Sequence, residues 1–516
     1  MSLLRSVATV GSFTMLSRIA GFARDMLIAA YAGAGPVADA FFVAFKLPNF
    51  FRALFAEGAF NAAFVPLFSE ILAREGRARA LAFADLAMSV LLVTLFVFTT
   101  LCQIFMPTIM IGLAPGFADE PDKFALAVLF TRITFPYLLF ISLVSLLGGV
   151  LNSIGRFAAV AATPVVLNLT MIAVLLTFVG VMPTAGHALA WGVSAAGVTQ
   201  FLWLLWACHR AGIVTRLPWP RLTPDVKRLL GLIMPAALGA GVVQVNLVIG
   251  VMLASLLPTG AISFLFYADR LNQLPIGVIG VAVGTALLPL LSRQIASGAG
   301  ADAHDSQNRA VELALFLGLP ATAALLAVPH EMISALFERG AFGARATAET
   351  AAALMAYTVG LPAYVMVRAL NPGFYARKDT RTPVRFAVIC IVVNVGLGLA
   401  LLLPLEHVGL ALATALSSWT NALLLGVTLL RRGHWVIDAR LRDRLWRTLL
   451  ATLIMAAVLL GLARLLAPWF AAADAHRFAA LALLVGGGLA AYAVAAVLLR
   501  AVRPVELKSM LRRRRG

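Results

Sequence analysis

Ionisable side chains interrupt three of the most apolar parts of the sequence, beginning with the stretch "SRIAGFARD" (17–25). The cations in these parts are Arg18, Arg24, Lys46, Arg52 and Arg270, and the acids are Asp25, Asp39, Glu57 and Asp269. Charge inside a membrane helix is costly and usually functional, which makes these residues site candidates. Arginine carries a planar fork of donors that fits phosphate oxygens. The cations outnumber the acids by one, which favours an anionic, phosphorylated ligand.

Helical spacing aligns part of this set. At 100° per residue, Asp39, Lys46 and Glu57 fall within about 20° of one another. Asn49 and Arg52 are displaced to one side of that stripe. The stripe is therefore a candidate lining for a charged, water-filled cavity.

The alternative is that these charges pair with one another or extend to the membrane surface. It is the preferred interpretation for Arg132 and Arg368, which do not cluster with other charges. In the apolar segment that contains Arg270, helical spacing places Ser263, Tyr267 and Arg270 on one face.

Composition assigns these residues to a membrane protein. Of 516 residues, 61% are hydrophobic and 12% are charged, and the mean hydropathy is +0.94. Soluble domains have about 25% charged residues. The long apolar runs predict an all-α polytopic membrane protein with about fourteen transmembrane helices. The predicted spans are residues 3–31, 37–67, 82–112, 125–150, 158–181, 186–208, 228–257, 261–292, 309–328, 347–375, 384–403, 407–430, 446–466 and 477–501.

The net charge of +18 comes from basic residues that follow the even-numbered spans and fill the C-terminal tail. The opposite side has few, among them Lys123, Arg339 and Arg345. Positive residues favour the cytoplasmic side, so both termini are predicted to be cytoplasmic. The excess positive charge therefore sets the topology and lies near anionic lipid headgroups. Nucleic acid is not expected as a partner.

The chain also repeats itself at an offset of 223 residues. "FVPLFSE" (64–70) matches "LLPLLSR" (287–293), and "GHALAWGVS" (186–194) matches "GLALATALS" (409–417). Two parallel repeats of six spans are typical of transporters with a substrate site between the halves. The predicted organisation is an N-terminal lobe at 1–209, a cytoplasmic linker at 210–227, a C-terminal lobe at 228–431, and spans 13–14 with a basic tail at 432–516.

Other chemistry has little support in the sequence. Cys102, Cys208 and Cys390 lie in apolar runs and are interpreted as packing residues. The histidines form no catalytic pair or metal-ligand pattern, so we expect no enzyme activity, metal or cofactor. The alternatives that stay open beside the family resemblance given next are an exporter of a different polyprenyl-linked glycan or amphipathic anion, a drug exporter, and a membrane scaffold.

Four segments resemble the MurJ (MviN) family of lipid II flippases, within the multidrug/oligosaccharidyl-lipid/polysaccharide exporter superfamily. They are "SFTMLSRIAGFARDMLIA" (12–29), "ADAFFVAFKLPN" (38–49), "KLPNFFRALFAEGAFNAAFVPLFSE" (46–70) and "GGVLNSIGRFAAVAATPVVLN" (148–168). The resemblance implies a lipid flippase that works by alternating access in the bacterial cytoplasmic (inner) membrane, as a functional monomer, for cell-wall synthesis. Its implied substrate is lipid II, a pyrophosphate-linked disaccharide-pentapeptide on an undecaprenyl chain.

The resemblance also implies roles for individual residues. Those implied to bind substrate are Arg18, Arg24, Arg52, Arg270 and Asp39, and those implied to support the cavity are Asp25, Lys46, Glu57 and Asn49. Spans 13 and 14 are implied to form a groove for the lipid tail. The resulting hypothesis is that Arg24, Arg52 and Arg270 clamp the pyrophosphate. The energy source and the role of Asp25 stay open.

Overall fold

A computed structural model describes residues 3–53, 60–472 and 474–502, with side chains described from residue 9 onward except at 234, 236–243, 281–286 and 474. These residues fold mainly as α-helices. The first nine helices are α1 (Leu3–Ala32), α2 (Pro36–Phe51), α3 (Phe60–Glu75), α4 (Arg77–Ile104), α5 (Met106–Leu113), α6 (Pro121–Thr134), α7 (Tyr137–Ser153), α8 (Phe157–Phe178) and α9 (Ala185–Arg210). The next nine are α10 (Pro224–Ser255), α11 (Ala261–Ala296), α12 (Gly300–Ala327), α13 (Pro329–Phe337), α14 (Ala344–Thr358), α15 (Leu361–Tyr375), α16 (Arg381–Arg431), α17 (Ala439–Phe470) and α18 (Asp474–Leu498).

The all-α membrane architecture predicted from hydropathy is confirmed. Within the described ranges, nine helical segments are long and apolar enough to cross a membrane. One of them, α16, is 51 residues long and changes direction at Glu406 (φ 47°, ψ −129°), two residues after Pro404. It therefore comprises two helices, which meet where the predicted spans 384–403 and 407–430 meet.

Several predicted spans consist of two helices in succession. The span predicted at 347–375 contains α14, which ends at Thr358, and α15, which begins at Leu361. The span predicted at 125–150 is divided between α6 and α7 at Pro136. Proline removes a backbone donor and clashes with the preceding turn, which explains a division at that point. Hydropathy reports apolar length and does not detect such interruptions.

The chain forms two compact units. The first comprises Met1–Ser263 and Arg339–Phe342, and the second comprises Phe264–Glu338 and Gly343–Gly516. In the first, α1 packs on α8, α2 on α6, and α10 on α3 and α4. The lobe boundaries predicted at 209 and 228 stay a prediction, since α10 groups with the first unit here.

The predicted linker is tied to the first unit by polar contacts. Residues 213–223 are irregular. The backbone N–H of Arg216 donates to Asp85 Oδ1 at 3.0 Å, and Arg77 donates to the carbonyl of Ala211 at 2.9 Å. The linker therefore follows the surface near the start of α4.

In the second unit, α17 packs on α18 and on α12, and α18 packs on α13. Their shared core contains Ala451, Met455, Leu459, Ala480 and Leu484. The outer faces of both helices expose large apolar residues, as expected of helices in contact with lipid.

Candidate functional site

Arg24 and Asp25 form a buried ion pair in α1. Their side chains are 8% and 3% exposed, and Arg24 Nη2 lies 2.7 Å from Asp25 Oδ1. Arg24 Nε donates to the same oxygen at 3.1 Å, so the carboxylate binds one edge of the guanidinium fork. Such a two-point, charge-assisted contact fixes the orientation of the guanidinium as well as its charge.

A third residue, Asn168 of α8, completes what we call the Arg24 cluster: Arg24, Asp25, Asn168 and Ser17. Arg24 Nη1 donates to Asn168 Oδ1 at 3.0 Å, and Asn168 Nδ2 donates to the carbonyl of Ser17 at 3.0 Å. A Cβ atom at Gly21 would lie 3.3 Å from Asn168 Nδ2. Glycine thus lets the amide approach α1 closely, and the amide joins α1 to α8.

Asp39 is buried in the first turn of α2 and is 1% exposed. It accepts hydrogen bonds from the backbone N–H of Gly260 at 2.7 Å, the N–H of Ser263 at 2.9 Å and Ser263 Oγ at 2.6 Å. Gly260 immediately precedes α11 and Ser263 lies in its first turn, where backbone N–H groups have no partner within the helix. Asp39 therefore caps α11 from another helix, where the helix dipole favours a negative charge.

Lys123 of α6 completes the Asp39 cluster, defined as Asp39, Lys123, Gly260 and Ser263. Its Nζ lies 3.6 Å from Asp39 Oδ2, and the Lys123 side chain is 2% exposed. It also lies 3.2 Å from Glu120 Oε1 and donates to Thr259 Oγ1 at 2.9 Å. Glycine suits position 260 because its φ is +102°, a conformation that residues with a Cβ rarely adopt.

The end of α2 carries a second polar pair. Asn49 Nδ2 donates to the carbonyl of Phe45 at 2.8 Å, and Arg52 Nε donates to Asn49 Oδ1 at 3.1 Å. Both side chains are half-buried, whereas Lys46, earlier on α2, is exposed. Arg18 of α1 is exposed as well.

Two predicted site positions remain. Glu57 lies outside the described residues. Arg270 of α11 is half-buried, with its guanidinium over the ring of Phe266 at 4.7 Å from the centroid, a cation–π contact. Its neighbour Asp269 accepts a hydrogen bond from Gln273 one turn later.

Residues that share the predicted helical stripe have different surroundings in the structure. Asp39 and Lys46 share a predicted face, but Asp39 is buried at α11 and Lys46 is exposed. Asn168 and Lys123 were not predicted as site residues. Asn168 stands alone as an amide in an apolar run, and Lys123 lies between the predicted spans 82–112 and 125–150, on the side with few basic residues. Only the fold brings them to Arg24 and Asp39.

The described residues also bear on metal binding. Across the ranges 3–53, 60–472 and 474–502, no group of three or more His, Cys, Asp or Glu side chains is placed to hold a metal ion. The clusters described above combine cations, carboxylates and amides. Such groups suit recognition of an anion or a role as ionic contacts between helices.

Comparisons with known proteins agree on one family. A family model described as "Lipid II flippase MurJ" matches residues 28–476. A curated relative from Rhizobium meliloti (strain 1021), named "Probable lipid II flippase MurJ", is 48% identical over 463 residues, covering 89% of this chain and 86% of its own.

Solved structures give the same fold. One titled "Lipid II flippase MurJ, inward closed conformation" aligns with a TM-score of 0.78 at 26% identity, covering 95% of this chain and 98% of that one. An inward-facing multidrug resistance MATE transporter of the MOP superfamily aligns with a TM-score of 0.65 at 15% identity, over 82% and 97% of the two chains. The second likeness concerns the fold alone. With the family model and the Rhizobium relative both matching across most of the sequence, the chain belongs to the MurJ family.

Proposed function

We propose that this protein moves lipid II from the inner to the outer leaflet of the bacterial cytoplasmic membrane for cell-wall synthesis. The family match over residues 28–476 carries this proposal. The relatives that match are named as lipid II flippases, and they match over most of their own length. Export of another polyprenyl-linked glycan or amphipathic anion is not favoured, because the matched family is the flippase family.

We further propose that the pyrophosphate of lipid II binds to arginines. The candidates are Arg24, Arg52 and Arg270, with Arg18 and Asp39 also serving the substrate site. A guanidinium fork matches phosphate oxygens as it matches a carboxylate. The contact between Arg24 and Asp25 Oδ1 therefore occupies the same donors, Nε and Nη2, that a phosphate would use. In this proposal the pyrophosphate displaces Asp25 from Arg24, while Asn168 keeps hold of Nη1.

The proposal gives the Asp39 cluster a different task. Asp39 already accepts three hydrogen bonds and faces Lys123, so its carboxylate is well occupied by protein groups. We propose that it supports the substrate site by holding α2 against the start of α11 in one step of the transport cycle. Lys46, Asn49 and Glu57 stay proposed as supporting residues.

The cellular setting belongs to the same proposal. Basic residues follow α9 and α15 and flank the connection between α16 and α17. By the positive-inside rule these connections and both termini are cytoplasmic. Transport takes place by alternating access of two lobes, and the protein acts as a monomer surrounded by membrane lipids.

Replacement of the arginines tests the function together with its proposed site. In a strain depleted of its own flippase, Arg24→Ala, Arg52→Ala and Arg270→Ala variants are expected to fail to sustain growth, although expressed at the wild-type level. Lysine keeps the charge but loses the fork, so each Lys variant is expected to give only partial rescue. The matched control is Arg132→Ala, because Arg132 is exposed and bonds to the carbonyl of Gln103. Normal cell-wall synthesis in all three Ala variants would contradict the arginine clamp.

A further inference from the structure

An apolar cavity opens in the second unit between α12, α15, α16 and α17. Its volume is about 710 Å³, within the roughly 300–1,000 Å³ range of small-molecule sites. Most of its lining is aliphatic or aromatic, and the residues that define it here are Val311, Leu315, Met366, Trp419, Leu445 and Leu449. Since α12, α16 and α17 each include a membrane-spanning segment, the natural occupant of such a lining is a hydrocarbon chain.

One cation, Arg442, lines the cavity in the first turns of α17. The arginines around it are paired: Arg444 lies 2.7 Å from Glu312, and Arg447 lies 2.9 Å from Asp443. In the part of the chain that the structure describes, no carboxylate lies within 4.0 Å of Arg442. Asp438 already caps the N-terminus of α17, so the attraction of this mouth for an anion comes from the exposed guanidinium of Arg442.

The wall beside Arg442 is held in place by protein contacts. Trp435 Nε1 donates to Asn308 Oδ1 at 2.8 Å, and Asn308 Nδ2 donates to the carbonyl of Val436 at 2.8 Å. Asp438 accepts from the N–H of Leu441 at 2.6 Å and is paired with Arg309. The cavity is therefore built by the fold and does not require a ligand to form it.

We propose that this cavity binds an anionic glycerophospholipid of the cytoplasmic leaflet, with one acyl chain along the apolar lining and the phosphate at Arg442. Basic pockets between transmembrane helices on the cytoplasmic side are known to take such headgroups. Arg431, Arg432 and Arg440 lie in or next to the connection between α16 and α17, which places it on the side proposed as cytoplasmic. None of the arginines proposed for lipid II lines this cavity, so the proposal does not depend on that function.

Native mass spectrometry of the purified full-length protein tests this proposal. The protein is released from bilayers containing equal amounts of phosphatidylglycerol and phosphatidylcholine, and the retained lipid is identified. The wild type is expected to retain phosphatidylglycerol preferentially. Arg442→Gln removes the charge and is expected to weaken retention about fivefold, equivalent to about 1 kcal/mol per basic residue near the membrane surface.

Two further variants sharpen the result. Leu445→Trp fills the cavity and is expected to abolish retention without changing charge. Arg385→Gln is the matched control, since Arg385 is an exposed arginine of α16 that does not line the cavity, and it is expected to retain lipid as the wild type does. Thermal unfolding in phosphatidylcholine alone checks that Arg442→Gln and Leu445→Trp are folded.

Specific outcomes would overturn the proposal. Retention that is unchanged in Arg442→Gln means that the phosphate is not bound there. Equal retention of phosphatidylcholine and phosphatidylglycerol by the wild type would show that the cavity does not select an anionic headgroup. In a second bilayer that also contains undecaprenyl phosphate, Arg442-dependent retention of that lipid without retention of phosphatidylglycerol would overturn the proposal and assign the cavity to a polyprenyl chain.

Discussion

Arg24 illustrates how a buried charge is kept in place by residues distant in sequence. Asp25 neutralises it from the next position, and Asn168 binds it from 144 residues away. The energetic reason is that a buried charge without a partner costs about 3–5 kcal/mol. Asn168 also bonds to the backbone of Ser17, so its amide serves both the charge and the packing of α1 on α8.

Asn168→Leu tests this role at the residue scale. Leucine has a similar size but leaves Arg24 Nη1 without its oxygen acceptor, and we expect the free energy of unfolding to fall by about 1–3 kcal/mol. Thermal or denaturant unfolding of the detergent-solubilised protein measures the change. The control is Thr177→Val on the same helix, because Thr177 is exposed and bonds only to the carbonyl of Ala173. Equal stability of both variants would remove Asn168 from the cluster.

At the scale of secondary-structure elements, the start of α11 depends on a carboxylate from α2. Asp39 supplies the acceptors that the first N–H groups of α11 lack, and Lys123 of α6 adds a positive charge beside it. Three helices thus meet at one buried carboxylate. Removal of the acid would leave Lys123 with Glu120 as its acidic partner, and Glu120 is about half exposed.

A double-mutant cycle tests the coupling between α2 and α6. Asp39→Asn and Lys123→Met are each expected to destabilise the fold. The double variant is expected to be less unstable than the sum of the two, with an interaction energy of about 0.5–3 kcal/mol. Strict additivity of the two changes in the free energy of unfolding would show that the pair is not coupled.

Another carboxylate stabilises the start of α16, outside the membrane-spanning segments. Thr382 donates to Asp379 through its hydroxyl at 2.7 Å and its backbone N–H at 3.0 Å, and Arg432 donates at 2.8 Å. Together they lower the pKa of Asp379 to about 2. An unfolded aspartate has a pKa of about 3.9, so the folded state favours the charged form. The resulting stabilisation is complete above about pH 4 and is lost as the pH falls through 2.

Asp379→Asn is therefore expected to lower the unfolding temperature at pH 7, and the difference from wild type should shrink as the pH falls from about 4 to 2. Unfolding temperatures measured across this range check the expectation. The same change at the exposed Asp302 is the control and should leave the pH profile as in wild type. A difference between Asp379→Asn and wild type that does not vary with pH would mean that Asp379 acts through packing alone.

For the molecule as a whole, apolar length made the fold class and most spans predictable from sequence. The division of 347–375 into α14 and α15 and the change of direction at Glu406 depend on local backbone geometry, which hydropathy averages away. The site was predictable in part, because charge in an apolar run is visible without a structure. The partners Asn168, Lys123 and Ser263 were not, since contacts across 84 to 224 residues follow from tertiary packing rather than spacing.

The central claim is that this chain brings lipid II to the outer leaflet, and leaflet-resolved accessibility of lipid II tests it most directly. After acute depletion of the protein, in a strain with no other flippase, lipid II on the outer leaflet should fall while the inner pool rises. Re-expression of the wild type should restore the outer pool, and Arg24→Ala should not. Unchanged outer-leaflet exposure of lipid II after depletion would contradict the account.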